Sequence, residues 1–264
     1  MKLVLRCGRS RTILAFVASA LIPAVASART LEAIQARGTL SVCAHANALP
    51  FASRSHSLPG FQIEIARALA RELGVGLEVA WVTILYQRSA VNCDIVLDAI
   101  VDKDVQADSP TKVSRPYHRS GIVLALPVST NGIKTFTDLG RGKRVGVQVG
   151  SLAQMVLSQR GLQTSPFGFE DEMIAEVAEG RLDGAAVTAA SVGYFNLTHP
   201  ERKVQLVYAY EQEPQLSWNI AVGMRGSDAA LREKIDTAVE RLLIDGTIRD
   251  IYARYGIEHR PPGP

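Results

Sequence analysis

The run Arg144-Val-Gly-Val-Gln-Val reads as a strand, Gly150-Ser151 interrupts it, and Leu152, Val156 and Leu157 begin a helical face. A strand that turns through glycine into a helix N-terminus presents backbone N–H groups and the positive end of the helix dipole. Together they favour an anion by about 0.3–1 kcal/mol when exposed. Ser151 also suits the cap of its own helix, a role compatible with binding. Asn47 and Phe51 follow the strand Thr39 to Ala44, at the carboxyl edge where open α/β sheets take ligands. Arg115 and Tyr117 precede the run Gly121 to Val128, Thr188 follows the short buried run Gly184 to Val187, and Trp218 opens a later strand. Arg115 would supply a cation to an anionic ligand. Phe51 and Trp218 suit core packing at least as well as a ligand surface.

Other chemistry has less to work with. The five histidines, His45, His56, His118, His199 and His259, form no pair with metal-ligand spacing. His118, between Tyr117 and Arg119, is the one expected nearest a cleft, with an ordinary loop histidine as the plainer reading. No nucleophile elbow, nucleotide loop or paired-cysteine metal motif occurs, so neither cofactor nor metal is called for. An acid–base enzyme would need a cleft carboxylate with a tuned pKa, and Glu64, Asp98, Asp102 and Asp104 are the candidates. Glu64 also suits the first turn of a helix, where negative charge is favoured. A binding protein therefore ranks above an enzyme.

The elements that position these residues alternate short β-like runs with amphipathic helices, the pattern of α/β sheets. Phe61 to Leu73 carries Ile65, Leu69 and Leu73 at four-residue spacing, with Gly74 at the helix end. Leu77 to Val82 and Asp94 to Ile100 are further strands. A second half runs from about 121 through Gln205 to Tyr210. The strand Trp218 to Met224 and two closing helices then return to the first half. The expected architecture is a two-lobed fold with two parallel-type sheets, flanking helices and a two-strand hinge. Lobe 1 comprises 29–124 and 215–264, and lobe 2 comprises 125–214. A ligand is expected in the cleft between them.

Lys2, Arg6, Arg9 and Arg11, an apolar run from Ile13 to Val25, and Ala26-Ser27-Ala28 have the layout of a secretory signal over residues 1–28. The formal charge of the full chain is +3, but the leader holds four of the 29 basic residues and no acid. The chain from Arg29 onward is then close to neutral, which removes any case for a nucleic-acid or membrane-surface partner. A soluble, exported monomer is expected. Export leaves Cys43 and Cys93 where a disulfide can persist. Simple parallel-strand geometry puts them near opposite ends and argues against pairing, so a disulfide and two buried thiols both stay open.

Several short motifs occur in order: Leu31-Glu-Ala-Ile-Gln-Ala-Arg-Gly-Thr-Leu, Gly60-Phe61 with Glu64, Cys93-Asp94-Ile-Val, Arg115-Pro-Tyr, Gly142 to Ser151, Gly180-Arg-Leu-Asp183, and Asp245-Gly to Tyr255-Gly. Their order and spacing resemble family-3 extracellular solute-binding proteins, the amino-acid-binding type of transporter receptor. The resemblance implies a periplasmic protein of type II topology and an ABC transporter permease as partner. It also implies an arginine for the ligand carboxylate, whose position here is Gln106, and an acid for the ligand ammonium, whose position here is Thr188. Asp183 is expected to be a structural acid of its turn. With both charged handles changed, an ordinary amino-acid receptor is not expected, and an anionic ligand held by Ser151 and Arg115 is the alternative. Cys43-Ala, Asn47-Ala-Leu-Pro-Phe51, Cys93-Asp-Ile-Val, Arg115-Pro-Tyr-His-Arg-Ser120 and Asn219-Ile-Ala-Val-Gly-Met-Arg further resemble a branch of periplasmic partners of quinoprotein (methanol) dehydrogenases. That branch implies an accessory role beside a PQQ-dependent alcohol dehydrogenase, although Trp81 to Asn92 is shorter here. Some exported dehydratases also resemble the family, which keeps a dehydratase-like enzyme as a further alternative.

Overall fold

A computed structural model describes residues 29–54, 57–82, 93–102, 104, 106, 109–140 and 142–263. The expected leader, His56, and the shortened segment beyond Val82 lie outside the described residues.

Local rules explain the first elements. Thr30 caps α1 (Leu31–Arg37) by accepting the Ala33 N–H, and Gly38 ends it at a φ of 73°. Strand β1 (Thr39–His45) follows, then a small hairpin of β2 (Asn47–Ala48) and β3 (Ala52–Ser53). Helix α2 (Phe61–Glu72) buries Phe61, Ile65 and Leu69, with Ala66 and Ala70 beside them. It closes where Gly74 N–H donates to Arg71 O and Val75 N–H to Ala70 O, a glycine-dependent ending. Strands β4 (Gly76–Val82) and β5 (Ile95–Ile100) flank β1 in parallel.

Strand β6 (Thr111–Val113) leads to β7 (His118–Pro127), which joins the halves. Its first residues, His118 to Gly121, pair with the return strand β12 (Ser217–Arg225). Its later residues, Ile122 to Ala125, pair with β10 (Gly184–Thr188), and Leu124 to Pro127 with β11 (Val204–Val207). Strands β8 (Arg144–Gln148) and β9 (Gln163–Phe167) complete a path in the order β4-β1-β5-β12-β7-β10-β8-β9. The expected pair of parallel-type sheets is therefore one mixed, continuous sheet, because the hinge strands themselves pair across it. Gly121 sits at the crossing: a Cβ there would stand 2.5 Å from Leu216 O and 2.6 Å from the Tyr210 ring. No side chain larger than hydrogen fits that approach.

Helices α3 (Leu152–Gln159), α4 (Glu170–Ala178) and α5 (Ala189–Thr198) flank the second half, and α6 (Ala229–Ile244) and α7 (Thr247–Arg254) return to the first. Two separate hydrophobic cores result. One contains Leu40, Leu69, Ile95, Val222, Ile235 and Tyr252; the other contains Leu124, Val145, Leu157, Ile174, Val187 and Leu216. Asp94 and Asp183, the acids of the Cys93-Asp94 and Gly180–Asp183 motifs, are both structural. Asp94 accepts the Ser41 N–H at 2.7 Å and pairs with Arg37. Asp183 accepts the Arg144 N–H at 2.8 Å and pairs with Lys143.

Cys43 and Cys93 form a disulfide with Cα atoms 5.5 Å apart, which corrects the strand-end argument. Strand β5 first pairs with β1 at Val42↔Ile95 and Cys43↔Val96, halfway along β1. The chain also bends at Asp94, which brings Cys93 back towards Cys43. Among the described residues no helix is long and apolar enough to cross a membrane.

Candidate functional site

A cavity of about 560 Å³ opens between the two cores, walled by Asn47–Phe51 on one side and by residues from Gln148 to His199 on the other. Its size is that of an ordinary small-molecule site.

The first wall is a loop clamped to a helix end. Helix α2 has unsatisfied N–H groups at its start. The loop fills them: Phe61 N–H donates to Pro50 O at 2.9 Å and Gln62 N–H to Phe51 O at 3.0 Å. Gly60, at a φ of 96°, permits that approach, since a Cβ there would meet Phe51 O at 2.3 Å. The Phe51 ring packs on Phe61 at 5.2 Å between centroids, and Phe61 continues to Tyr252 at 4.9 Å. Phe51 is thus an anchored aromatic face at the edge of a buried stack.

The second wall is one face of α5 and the start of α4. Ser191, Tyr194, Phe195 and Thr198 line the cavity with the i, i+3, i+4, i+7 spacing of a single helix face. Thr188 ends β10 and caps α5 through its Oγ1, which accepts the Ser191 N–H. Glu170 reaches this cap from the first turn of α4. Its carboxylate accepts the Thr188 N–H at 3.1 Å and the Thr188 hydroxyl at 2.6 Å. Burial pushes the Glu170 carboxyl above the usual carboxylate range, and the Asp171 charge adds to the rise; hydrogen bonds from Ser191 and Thr188 oppose it. An acid is expected near the Thr188 position from the resemblance alone; the fold brings the Glu170 carboxylate to Thr188 from another helix. Glu170, Asp171 and Glu172 line the cavity together, and Phe169 adds a further aromatic face.

Of the sequence candidates, Asn47, Phe51 and Thr188 come together here. The others lie elsewhere. Gly150 and Ser151 do not line the cavity, and their N–H groups are not free as expected. Gly150 N–H donates to Gln154 Oε1 at 2.7 Å, Ser151 N–H to Gln148 O at 3.1 Å, and Ser151 Oγ accepts the Gln154 N–H. This is a helix-capping arrangement in which Gln154 reaches back. Arg115 faces α6, where its guanidinium pairs with Glu240 and its N–H donates to Asp236. Tyr117 is buried and donates its hydroxyl to Asp98 at 2.6 Å. Trp218 packs against the first core from β12. The cavity's described lining therefore carries the opposite charge to the one an anionic ligand would need.

The candidate acids are likewise placed outside this lining. Glu64 pairs with Arg254 and accepts the Tyr255 hydroxyl at 2.6 Å, beside a separate cavity of about 430 Å³ between α2 and α7. Asp98, at a φ of 56°, also binds the Gln62 amide at 2.7 Å, and Asp102 accepts the Asp104 N–H at 3.0 Å. His118 is buried away from the cleft, which corrects its expected position. It stacks on Tyr252 and accepts the Arg260 N–H at 3.2 Å. Burial, with the nearby His259 and Arg260 charges, lowers it to about 3, and the Arg260 contact through the backbone opposes this. Among the described residues no cluster of His, Cys, Asp and Glu could hold a metal.

Glu170, Ser191, Tyr194 and Phe195 were not visible as site residues in the sequence. The one available signal is the spacing that follows Thr188.

The two halves also touch beside the cavity. A Cβ on Gly193 of α5 would stand 2.3 Å from the carbonyl oxygen of Gly256, in the turn after α7. Tyr194 packs there against the first core.

Residues 40–258 match the sequence model of the bacterial extracellular solute-binding proteins, family 3. The L-cystine-binding protein TcyJ of Escherichia coli (strain K12) is 25% identical over 249 residues, covering 91% of this chain and 91% of that protein. Among solved structures, an ancestral cationic amino acid solute-binding protein (AncCDT-1) superposes with a TM-score of 0.72 at 25% identity, covering 86% of this chain and 99% of the other. MxaJ from Methlophaga aminisulfidivorans MPT gives 0.68 at 20% identity over 83% of this chain and 99% of the other, a likeness of fold alone.

Proposed function

Because this chain belongs to the bacterial extracellular solute-binding proteins of family 3, we propose that it captures a small molecule in the periplasm, between its two lobes. The observation that carries this is the cavity walled by Asn47–Phe51 from one lobe and by α4 and α5 from the other. A ligand there bridges both walls and favours their approach. The lobes act as units, with residues 29–124 and 215–264 in one and 125–214 in the other.

The context we favour is a quinoprotein alcohol dehydrogenase system. Its support is the sequence resemblance around Cys43, Asn47–Phe51 and Cys93, now seen to form one neighbourhood: the disulfide ties β1 at the base of the loop that walls the cavity. The protein either hands its ligand to an ABC permease or serves the dehydrogenase as a docked accessory. Dehydratase-like catalysis is the lesser reading: Glu64, Asp98, Asp102 and Asp104 are outside the cavity's described lining, and the raised carboxyl that does line it, Glu170, is engaged by the Thr188 N–H and hydroxyl.

Thermal melting of the purified protein against a panel of amino acids, carboxylic acids and amines tests the binding role. A receptor gains Tm with ligand concentration by mass action and loses the gain in Phe51→Ala. An accessory co-purifies with the dehydrogenase even when Phe51 is replaced. A protein that does neither has neither role.

A further inference from the structure

The charge of the cavity bears on the class of molecule it takes. Its described lining carries three acids, Glu170, Asp171 and Glu172, and neither Lys nor Arg. The rings of Phe51, Phe169 and Tyr194 line the cavity with these acids, while Phe195 lies stacked on His199. Carboxylates beside aromatic faces stabilise an organic cation, by ion pairing and by attraction to the ring quadrupole.

An α-amino acid brings a second charge of the opposite sign, and the groups the sequence offered for its carboxylate are engaged elsewhere. The Gln106 side-chain amide donates to Ile100 O at 2.8 Å. Arg115 pairs with Glu240 of α6. The N–H groups of Gly150 and Ser151 are taken by Gln154 and Gln148. A carboxylate entering this cavity would lose hydration beside three acids, with His199 as the one basic side chain of the described lining.

We infer that the cleft selects an organic amine or guanidine with an apolar body and no carboxylate. Its cationic head sits at Glu170, beside the Thr188 and Ser191 hydroxyls, and its body lies against Phe51 and Tyr194. This names the ligand class of the cleft proposed above and rests on that reading.

Titration calorimetry of the purified protein with matched probes tests it: agmatine against arginine, and 2-phenylethylamine against phenylalanine, with 3-phenylpropionate as the anion. The expected result is that an amine binds at least tenfold more tightly than its carboxylated counterpart, that 3-phenylpropionate does not bind, and that Glu170→Gln weakens the amine at least tenfold. An amino acid binding as tightly as its decarboxylated partner, or binding of 3-phenylpropionate, overturns the inference and leaves the cleft reading intact. Binding of none of the five probes also overturns it, and the melting panel then decides separately whether the cleft binds anything.

Discussion

Replacing Glu170 by Gln separates a ligand anchor from a structural tie. The carboxylate holds the Thr188 N–H at 3.1 Å and the Thr188 hydroxyl at 2.6 Å. Hydrogen bonds to a charged group are worth about 1.5–3 kcal/mol each, and neutral ones about 0.5–1.5. Gln keeps an oxygen for the N–H, so the variant loses the charge-assisted part rather than both bonds. Against that loss stands burial, which pushes the Glu170 carboxyl up. Because its folded-state value is raised, the wild type has the benefit of the neutral acid below the ordinary carboxylate value. It loses that benefit as pH climbs through the raised one. Gln has no proton to lose and removes this slope. The two effects offset, and the variant should melt within about 1 kcal/mol of wild type at pH 7. Binding has no such compensation: an amine loses its ion pair, about 1.5–3 kcal/mol, or roughly 10- to 150-fold in Kd. Urea denaturation at pH 5 and pH 7, beside calorimetry with agmatine and 2-phenylethylamine, reads both quantities. Unchanged amine affinity together with destabilisation beyond about 3 kcal/mol at both pH values would make Glu170 a structural tie and refute the reasoning.

Other substitutions report on the frame around the site. Gly193→Ala should wedge α5 from the turn at Gly256, where a Cβ would stand 2.3 Å from the carbonyl. The expected cost is about 1–3 kcal/mol in urea denaturation, and an unchanged midpoint would show that the contact is loose. Reducing the Cys43–Cys93 bond, which spans 50 residues, should cost about 4 kcal/mol by loop entropy, measured by denaturation with and without reductant. His118, lowered to about 3, stays neutral in the fold while the unfolded chain takes up a proton near pH 6.5. Its contribution is therefore lost as pH falls from 6.5 towards 3, at up to about 1.4 kcal/mol per pH unit, and His118→Asn should remove that slope. Arg115→Ala breaks only an exposed ion pair with Glu240, so it should cost under about 1 kcal/mol and leave binding unchanged in calorimetry.

The fold was legible where one local pattern decides one element. The four-residue spacing of Phe61, Ile65 and Leu69 makes α2, and Gly74 ends it. Asn47 and Phe51 could be placed because they follow a strand, and Thr188 because it follows a short buried one. Glu170 was hidden for a physical reason. Three acids in the first turn of α4 are already explained by the helix dipole, and only tertiary packing brings one of them to Thr188. The lining face of α5 was masked because its ten residues are apolar nearly all round, one face meeting the second core and the other the cleft. Gly150 and Ser151 misled because a glycine turn into a helix has the same spacing whether its N–H groups are free or, as here, taken by Gln154 and Gln148. The sequence leaves the disulfide open because a bend at Asp94 has no signature in strand periodicity.

The central claim is capture of a small organic cation by both lobes at once. Hydrogen–deuterium exchange of the protein with and without saturating 2-phenylethylamine tests it most directly. The account predicts slowed exchange in the loop 47–51 and in the start of α5 together. Slowing confined to one wall, or none in either, would contradict it.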